Sequence, residues 1–133
     1  YNKNINLIDE SYNSNPLSLK SALINYDNIE TKKSKKYLLL GDMLELGKFS
    51  KKLHQSIVPI INKTKIDKVF VKGKNAKLIF NGLLESKKGQ VLYSRSQIIN
   101  LLKNNLNNND YLMIKASNAT GLNKIVKHIK GLN

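Results

Sequence analysis

Five short apolar runs recur along the chain, and each is followed by a segment whose apolar residues fall at helical spacing. "INLID" (5–9) alternates and ends in an acid, as a short strand running into a loop would. "KKYLLLGD" (35–42), "DKVFVKG" (67–73), "GQVLY" (89–93) and "DYLMIKAS" (110–117) read as four further strands. The second of these is a continuous apolar run stopped by Gly41, the pattern of a strand buried on both faces. Strands alternating with helices bury their apolar surfaces as a parallel sheet with helices on both faces, joined by right-handed crossovers. The expectation is therefore an α/β fold: a mainly parallel sheet of five to six strands, in a single domain spanning 1–133.

The helices carry their own signals. Asn15 is a good N-cap, and Pro16 suits the first helical position, where its missing N–H costs nothing. Leu19, Ala22, Leu23 and Tyr26 then share one face. In "SKKLHQSIVPIIN" (50–62), Leu53, Ile57, Ile60 and Ile61 share a face, and Pro59 should kink the helix or end it early. A short helix is expected over 75–84. Another is expected over 96–106, capped by Ser96 or Ser94, with Ile98, Ile99, Leu102 and Leu106 buried. Asn-rich 104–109 is expected to be a loop. A last helix over 121–132 points Leu122, Ile125, Val126 and Ile129 inward.

Composition excludes several classes. There is no cysteine, hence no disulfide framework and no thiolate metal site, which suits a reducing compartment. No apolar run approaches the length of a membrane span, so no membrane insertion is expected. The net charge of +14 invites a nucleic-acid reading, but Arg95 is the single Arg among 23 basic residues. Phosphate and base readers lean on the bidentate fork of Arg. A solvated Lys surface is the better account, with no specific nucleic-acid partner. His54 reads as a helix-surface or packed histidine and His128 as a surface one. No histidine pair has metal-ligand spacing, and no P-loop, nucleophile elbow or dinucleotide glycine fingerprint appears.

Ligands of open α/β sheets bind outside the carboxyl ends of the strands. Those ends are polar here: Asp9 to Asn15 after the first strand, Gly41, Asp42 and Glu45 after the second, Lys72 to Asn75 after the third, and Lys115, Ser117, Asn118 and Thr120 after the fifth. Turns favour such residues for backbone reasons alone. Gathered on one rim, however, acids, amides, hydroxyls and a lysine suit a nucleotide.

Two stretches resemble a known family. "IDESYNSNPLSLKSAL" resembles the Asp-Asp-x-Tyr-Asn-Ala-Asn-Pro-x-Ser motif of the Mur ligases that add D-alanyl-D-alanine, and "LLLGDMLELGKFSKKLH" resembles their Leu-Gly-Asp-Met-x-Glu-Leu-Gly … Leu-His stretch. "MIKASNATGLNKIV" matches more loosely a Lys-Gly-Ser-x-x-x-x-Leu-Glu-x-Val segment. Glu10, Ala116 and Asn123 depart from the motifs, standing for Asp, Gly and Glu.

The resemblance implies a carboxy-terminal, Rossmann-like domain of a cytoplasmic, monomeric ligase, without the UDP-substrate domain and the central ATPase domain that precede it in the family. It implies ATP, UDP-N-acetylmuramoyl-tripeptide and D-alanyl-D-alanine as partners of the full enzyme. ATP and Mg2+ would be bound mainly by the central domain. By the motifs, Asp9, Tyr12, Asn13 and Asn15 carry over as a nucleotide-facing lip, Asp42 and Glu45 as a second polar loop, and Lys115 and Ser117 as a substrate-side loop. No catalytic residue and no metal ligand is expected in this domain, and the isolated chain is expected to be inactive. Two alternatives compete. A receiver-like phosphoacceptor domain fits the length and the acidic pair Asp9–Glu10, but it needs an Asp after the third strand, where Lys72 and Gly73 stand. A basic nucleic-acid-binding domain rests on net charge alone.

Overall fold

The computed structural model describes residues 3–131. Its centre is a five-stranded sheet of β1 (Asn6–Glu10), β2 (Lys36–Gly41), β3 (Lys68–Lys72), β4 (Lys88–Val91) and β5 (Tyr111–Lys115). The strand order is β1-β5-β2-β3-β4, and all four pairings are parallel. The six helices are α1 (Pro16–Asp27), α2 (Ser50–Gln55), α3 (Val58–Asn62), α4 (Ala76–Gly82), α5 (Arg95–Asn104) and α6 (Leu122–Gly131). Leu132, the last residue of the helix expected at the chain end, lies outside the described residues.

Alternation along each strand divides the core into two layers. Leu38, Leu40, Val69, Val71 and Met113 pack against Leu19, Leu23 and Tyr26 of α1 and against apolar residues of α3 and α4. Leu39, Phe70, Leu112 and Ile114 point the other way, onto Ile98, Leu101 and Leu102 of α5 and Leu122, Val126 and Ile129 of α6. β2 is buried along its whole length, as its unbroken apolar run requires. Tyr26 sets its ring in the first layer and satisfies its hydroxyl by donating to the Tyr37 carbonyl at 2.7 Å. Burial pushes the ionisation of that hydroxyl well above the ordinary tyrosine value.

The element ends follow local chemistry. Asn15 accepts from the Ser18 N–H at 2.8 Å while the Ser18 hydroxyl accepts from the Asn15 N–H at 3.0 Å, a capping box with Pro16 just inside the helix. Ser94, not Ser96, caps α5, by accepting from the Gln97 N–H. The helix expected over 50–62 is two helices. Pro59 has no N–H to bond the Gln55 carbonyl, so α2 stops there, and α3 begins with Pro59 in its first turn. β4 starts and ends earlier than the apolar run suggests, because an irregularity in its pairing with β3 sets Val69 against Lys88 and Val71 against Val91. Gly89 permits it. A Cβ there would stand 2.6 Å from the Phe70 ring and 2.8 Å from the Val69 carbonyl oxygen.

The connections set up a crevice. α1, α3 and α4 cover one face, while α5 and α6 cover the other. β5 lies between β1 and β2. The chain therefore leaves β1 and β2 towards one face and leaves β5 towards the opposite one. Strands whose connections diverge in this way open a crevice at their carboxyl ends.

The Asn15 cap is testable by itself. Asn15→Ala should lower stability by about 1 kcal/mol, read as a drop in the denaturant midpoint at unchanged m-value.

Candidate functional site

The crevice is a cleft of about 470 Å³ lined by Tyr12, Asn13, Ser14 and Asn15 from the loop after β1, Leu44, Glu45 and Leu46 from the loop after β2, and Ser117, Asn118 and Ala119 from the loop after β5. The three loops that carry the family motifs thus meet in one place, whereas the polar end after β3, Lys72 to Asn75, does not line this cleft. Parallel pairing is the reason: β1, β2 and β5 all end on the same rim. Tyr12 and Asn13 are exposed at the cleft, Tyr12 by 55%.

Three of the expected site residues do not line the cleft but brace it. Lys115 is 3% exposed and donates from Nζ to the Asn13 carbonyl at 2.6 Å, with the Glu10 carboxylate 3.6 Å away. It therefore holds the loop after β1 from beneath. Asp42 turns towards α4, where its Oδ1 accepts from the N–H groups of Asn75 at 3.1 Å and Ala76 at 2.7 Å. A side chain on Gly73 would collide with that carboxylate, and Gly73 has φ +134. Asp9 accepts from the N–H and hydroxyl of Ser11 and lies 3.4 Å from Lys130 Nζ of α6.

Ser117 lines the cleft and also ties its walls. Its Oγ accepts from the Leu44 N–H at 2.9 Å and donates to the Ser14 carbonyl at 3.2 Å, and its own N–H donates to the Asp42 carbonyl at 3.2 Å. Asn15 divides its role: its residue borders the cleft while its Oδ1 caps α1. Glu45 borders the cleft with φ 61, a left-handed conformation uncommon outside Gly and Asn.

Two residues carry more than the sequence reading gave them. Ser14 is 3% exposed, and among the described residues its Oγ has no hydrogen-bond partner, although the residue lines the cleft. His54 is wholly buried and accepts the Met43 N–H on Nε2 at 3.0 Å. Its fixed spacing from Gly41-Asp42-Met43 in the motif was the available signal. His128 is exposed, as expected. Among the described residues, no group of three His, Asp or Glu is placed to hold a metal, and no helix is long and apolar enough to cross a membrane.

Comparison with known proteins decides the family. Residues 1–118 match the model of the Mur ligase, glutamate ligase domain. The chain belongs to the Mur ligase family.

A UDP-N-acetylmuramoyl-tripeptide--D-alanyl-D-alanine ligase of Bacillus subtilis is 34% identical over 128 residues, covering 94% of this chain and 28% of that relative. One from Buchnera aphidicola subsp. Baizongia pistaciae is 35% identical over 130 residues, covering 96% of this chain and 27% of the relative. This chain thus spans little more than a quarter of the curated relatives it matches. The MurF ligase of Thermotoga maritima, solved in complex with ADP, shares the fold with a TM-score of 0.78 at 22% identity, over 96% of this chain and 28% of that one. MurF from Acinetobacter baumannii gives a TM-score of 0.77 at 21% identity, over 96% of this chain and 28% of that one. The Mur ligase membership, together with the Lys72–Gly73 pair where a phosphoacceptor Asp would stand, removes the receiver-like alternative. The nucleic-acid alternative has no support beyond charge.

Two measurements follow from the site. Burial pushes the Asp9 carboxyl up, but the Ser11 hydroxyl and N–H and the Lys130 ammonium outweigh it and hold the group below its ordinary 3.8. A depressed carboxylate contributes stability that is present above pH 3.8 and lost as the pH falls through its folded value. Asp9→Asn should therefore flatten the acid limb of the melting temperature below pH 4 while changing the slope near neutrality little, as read by thermal scans from pH 7 to pH 2.5. For Ser14, removing an unsatisfied buried hydroxyl relieves a desolvation cost, so Ser14→Ala should leave the melting temperature unchanged or raise it by an equivalent of up to about 1 kcal/mol.

Proposed function

We propose that this chain acts as the carboxy-terminal domain of a cytoplasmic, ATP-dependent ligase that joins D-alanyl-D-alanine to UDP-N-acetylmuramoyl-tripeptide. One observation carries the reading: the Tyr12–Asn15 motif, the Glu45 loop and Ser117 converge on a single open cleft. The 34% identity to the Bacillus subtilis ligase supports the choice of substrate within the family.

The residues present fit a nucleotide face. Tyr12 offers an exposed ring for stacking or for a ribose, and Asn13 offers an exposed amide with both donor and acceptor capacity. These two would face the nucleotide, with Asn15 and Glu45 at its border. Asp9, Asp42 and Lys115 would act through the loops they hold. Mg2+ would be held chiefly by the central ATPase domain. ATP supplies the phosphoryl group that activates the tripeptide carboxylate; the dipeptide amine then attacks that carbon, and phosphate leaves.

An activated acid of this kind is lost to water unless water is kept out. A domain that closes over the reacting groups excludes water and holds the amine in line with the carbon it attacks. That task needs shape and hydrogen bonds rather than a nucleophile. The cleft offers amides, hydroxyls and a phenol, and no activated serine or cysteine.

Asn13 gives the test because its side chain is exposed and α1 is capped by its neighbour Asn15. In a complete ligase carrying this domain, Asn13→Ala should leave the melting temperature nearly unchanged. It should lower turnover, or raise the KM for ATP, by roughly tenfold if one nucleotide hydrogen bond is lost. Unaltered kinetics with both ATP and D-alanyl-D-alanine would sink the reading of this loop as the nucleotide lip.

A further inference from the structure

Resting on the reading that the cleft receives a nucleotide, we infer that His54 is a positioning residue for it, acting through the turn that carries Glu45. His54 lies on α2 and does not line the cleft. Its ring is fully buried, with both nitrogens engaged. An amide N–H can only donate, so Nε2 at 3.0 Å from the Met43 nitrogen must carry a lone pair. The ring proton is then on Nδ1, which donates to the Ser50 carbonyl at 2.7 Å. This pattern fixes the tautomer and the ring plane together.

The next residue is held in the same way from a different element. The Leu44 N–H donates to Ser117 Oγ at 2.9 Å, and Ser117 follows β5. Two consecutive N–H groups of one turn therefore end on side chains of two separate elements. The residue after them, Glu45, has φ 61, and it lines the cleft. A left-handed Glu persists only where its surroundings over-determine it. His54 and Ser117 supply that determination from two separate elements. The placement of Glu45 at the cleft is thus set by a histidine nine residues further along the chain, beneath the surface.

NMR on the labelled chain tests this without the rest of a ligase. Long-range proton–nitrogen correlation should show His54 protonated on Nδ1 and bare on Nε2. Substitution separates packing from the hydrogen bond: His54→Leu fills the space, whereas His54→Gln sets an amide oxygen close to the place of Nε2. With His54→Leu, the Met43 and Leu44 amides should exchange about tenfold faster or more, and the Glu45 HN–Hα coupling should leave its left-handed value. An ADP titration followed on the Asn13 and Ser117 amides should weaken about fivefold or more, and His54→Gln should recover most of it. Should His54→Leu fail to fold, Ser117→Ala at its half-buried position should release the Leu44 amide and shift the Glu45 coupling in the same way.

Three results would overturn the inference: an Nε2–H tautomer, wild-type amide protection and Glu45 coupling in His54→Leu, or an ADP response in that variant equal to the native one. If the native chain shows no ADP response, the same titration is made on a complete ligase carrying this domain, and no response of the Asn13 and Ser117 amides there overturns the nucleotide reading of the cleft. The exchange and coupling measurements still judge the hold of His54 on the turn.

Discussion

One hydroxyl connects all three loops of the cleft. Ser117 Oγ takes the Leu44 N–H and gives its own proton to the Ser14 carbonyl, while the Ser117 N–H reaches the Asp42 carbonyl. This is possible only because β1, β2 and β5 are parallel neighbours with matched register, which brings their following loops within hydrogen-bond distance of one another. The cleft is therefore a property of the sheet and not of any one loop. Replacing Ser117 with Ala would strand the Leu44 N–H, and a half-buried orphan donor costs about 1–3 kcal/mol. Because the single hydroxyl proton is already given to Ser14, Ser117 Oγ has only acceptor capacity left to offer the cleft.

The charged residues fall into two tiers on the same principle. At the amino-terminal rim, acids accept backbone N–H groups: Asp110 from Lys35 and Asn107, Asp67 from Lys36, Asp27 from Lys65. Several lysines do the reverse and donate to free carbonyls, as Lys36 does to Asp27 and Lys87 to Thr64 and Ile66. A flexible ammonium with three donors suits that work better than a planar guanidinium. Part of the lysine excess is thus internal stitching, which weakens further any reading of the charge as a nucleic-acid footprint. Along the carboxyl rim, Asp9, Asp42 and Lys115 are also engaged with the protein, and the exposed positions bordering the cleft are left to Tyr12, Asn13 and Glu45.

The strand–helix alternation was legible because periodicity reports burial directly, and all five strands and both core layers follow from it. The Asn15–Pro16 start of α1 was legible for the same reason: the chemistry is local. The end of β4 was not. Leu92 is apolar and buried and its N–H still reaches Val71, but the strand ends at Val91 beside an irregularity in its pairing with β3, which no local pattern records. The rim residues could be gathered from strand polarity alone. Their division into residues that line the cleft and residues that hold it could not, because that depends on rotamers and partners distant in sequence. His54 shows the limit most clearly. Its identity as a packed histidine was within reach, but the amide it accepts belongs to the turn after β2, and only the fold brings the two together.

The orphan hydroxyl of Ser14 bears on how such a site is tuned. The motif it interrupts has Ala at this position, so the chain carries a polar atom where the family pattern has none. The Ser14 hydroxyl is buried with no partner among the described residues, yet the residue's own carbonyl is one of the anchor points for Ser117. The backbone of the loop is thus held firmly from outside while its side chain is left unsatisfied. A closed and drier state would sharpen that imbalance, because an unpaired dipole costs more as water is withdrawn. On the proposed function, a polar group arriving from the ligand or from the preceding domains would relieve it, and relief available only in the assembled state favours that state. Ser14→Ala separates the cases. If it stabilises the free chain and leaves a complete ligase unaffected, Ser14 is a tolerated defect. If it stabilises the free chain and raises the KM for ATP or for the dipeptide, the hydroxyl is satisfied only in the closed state.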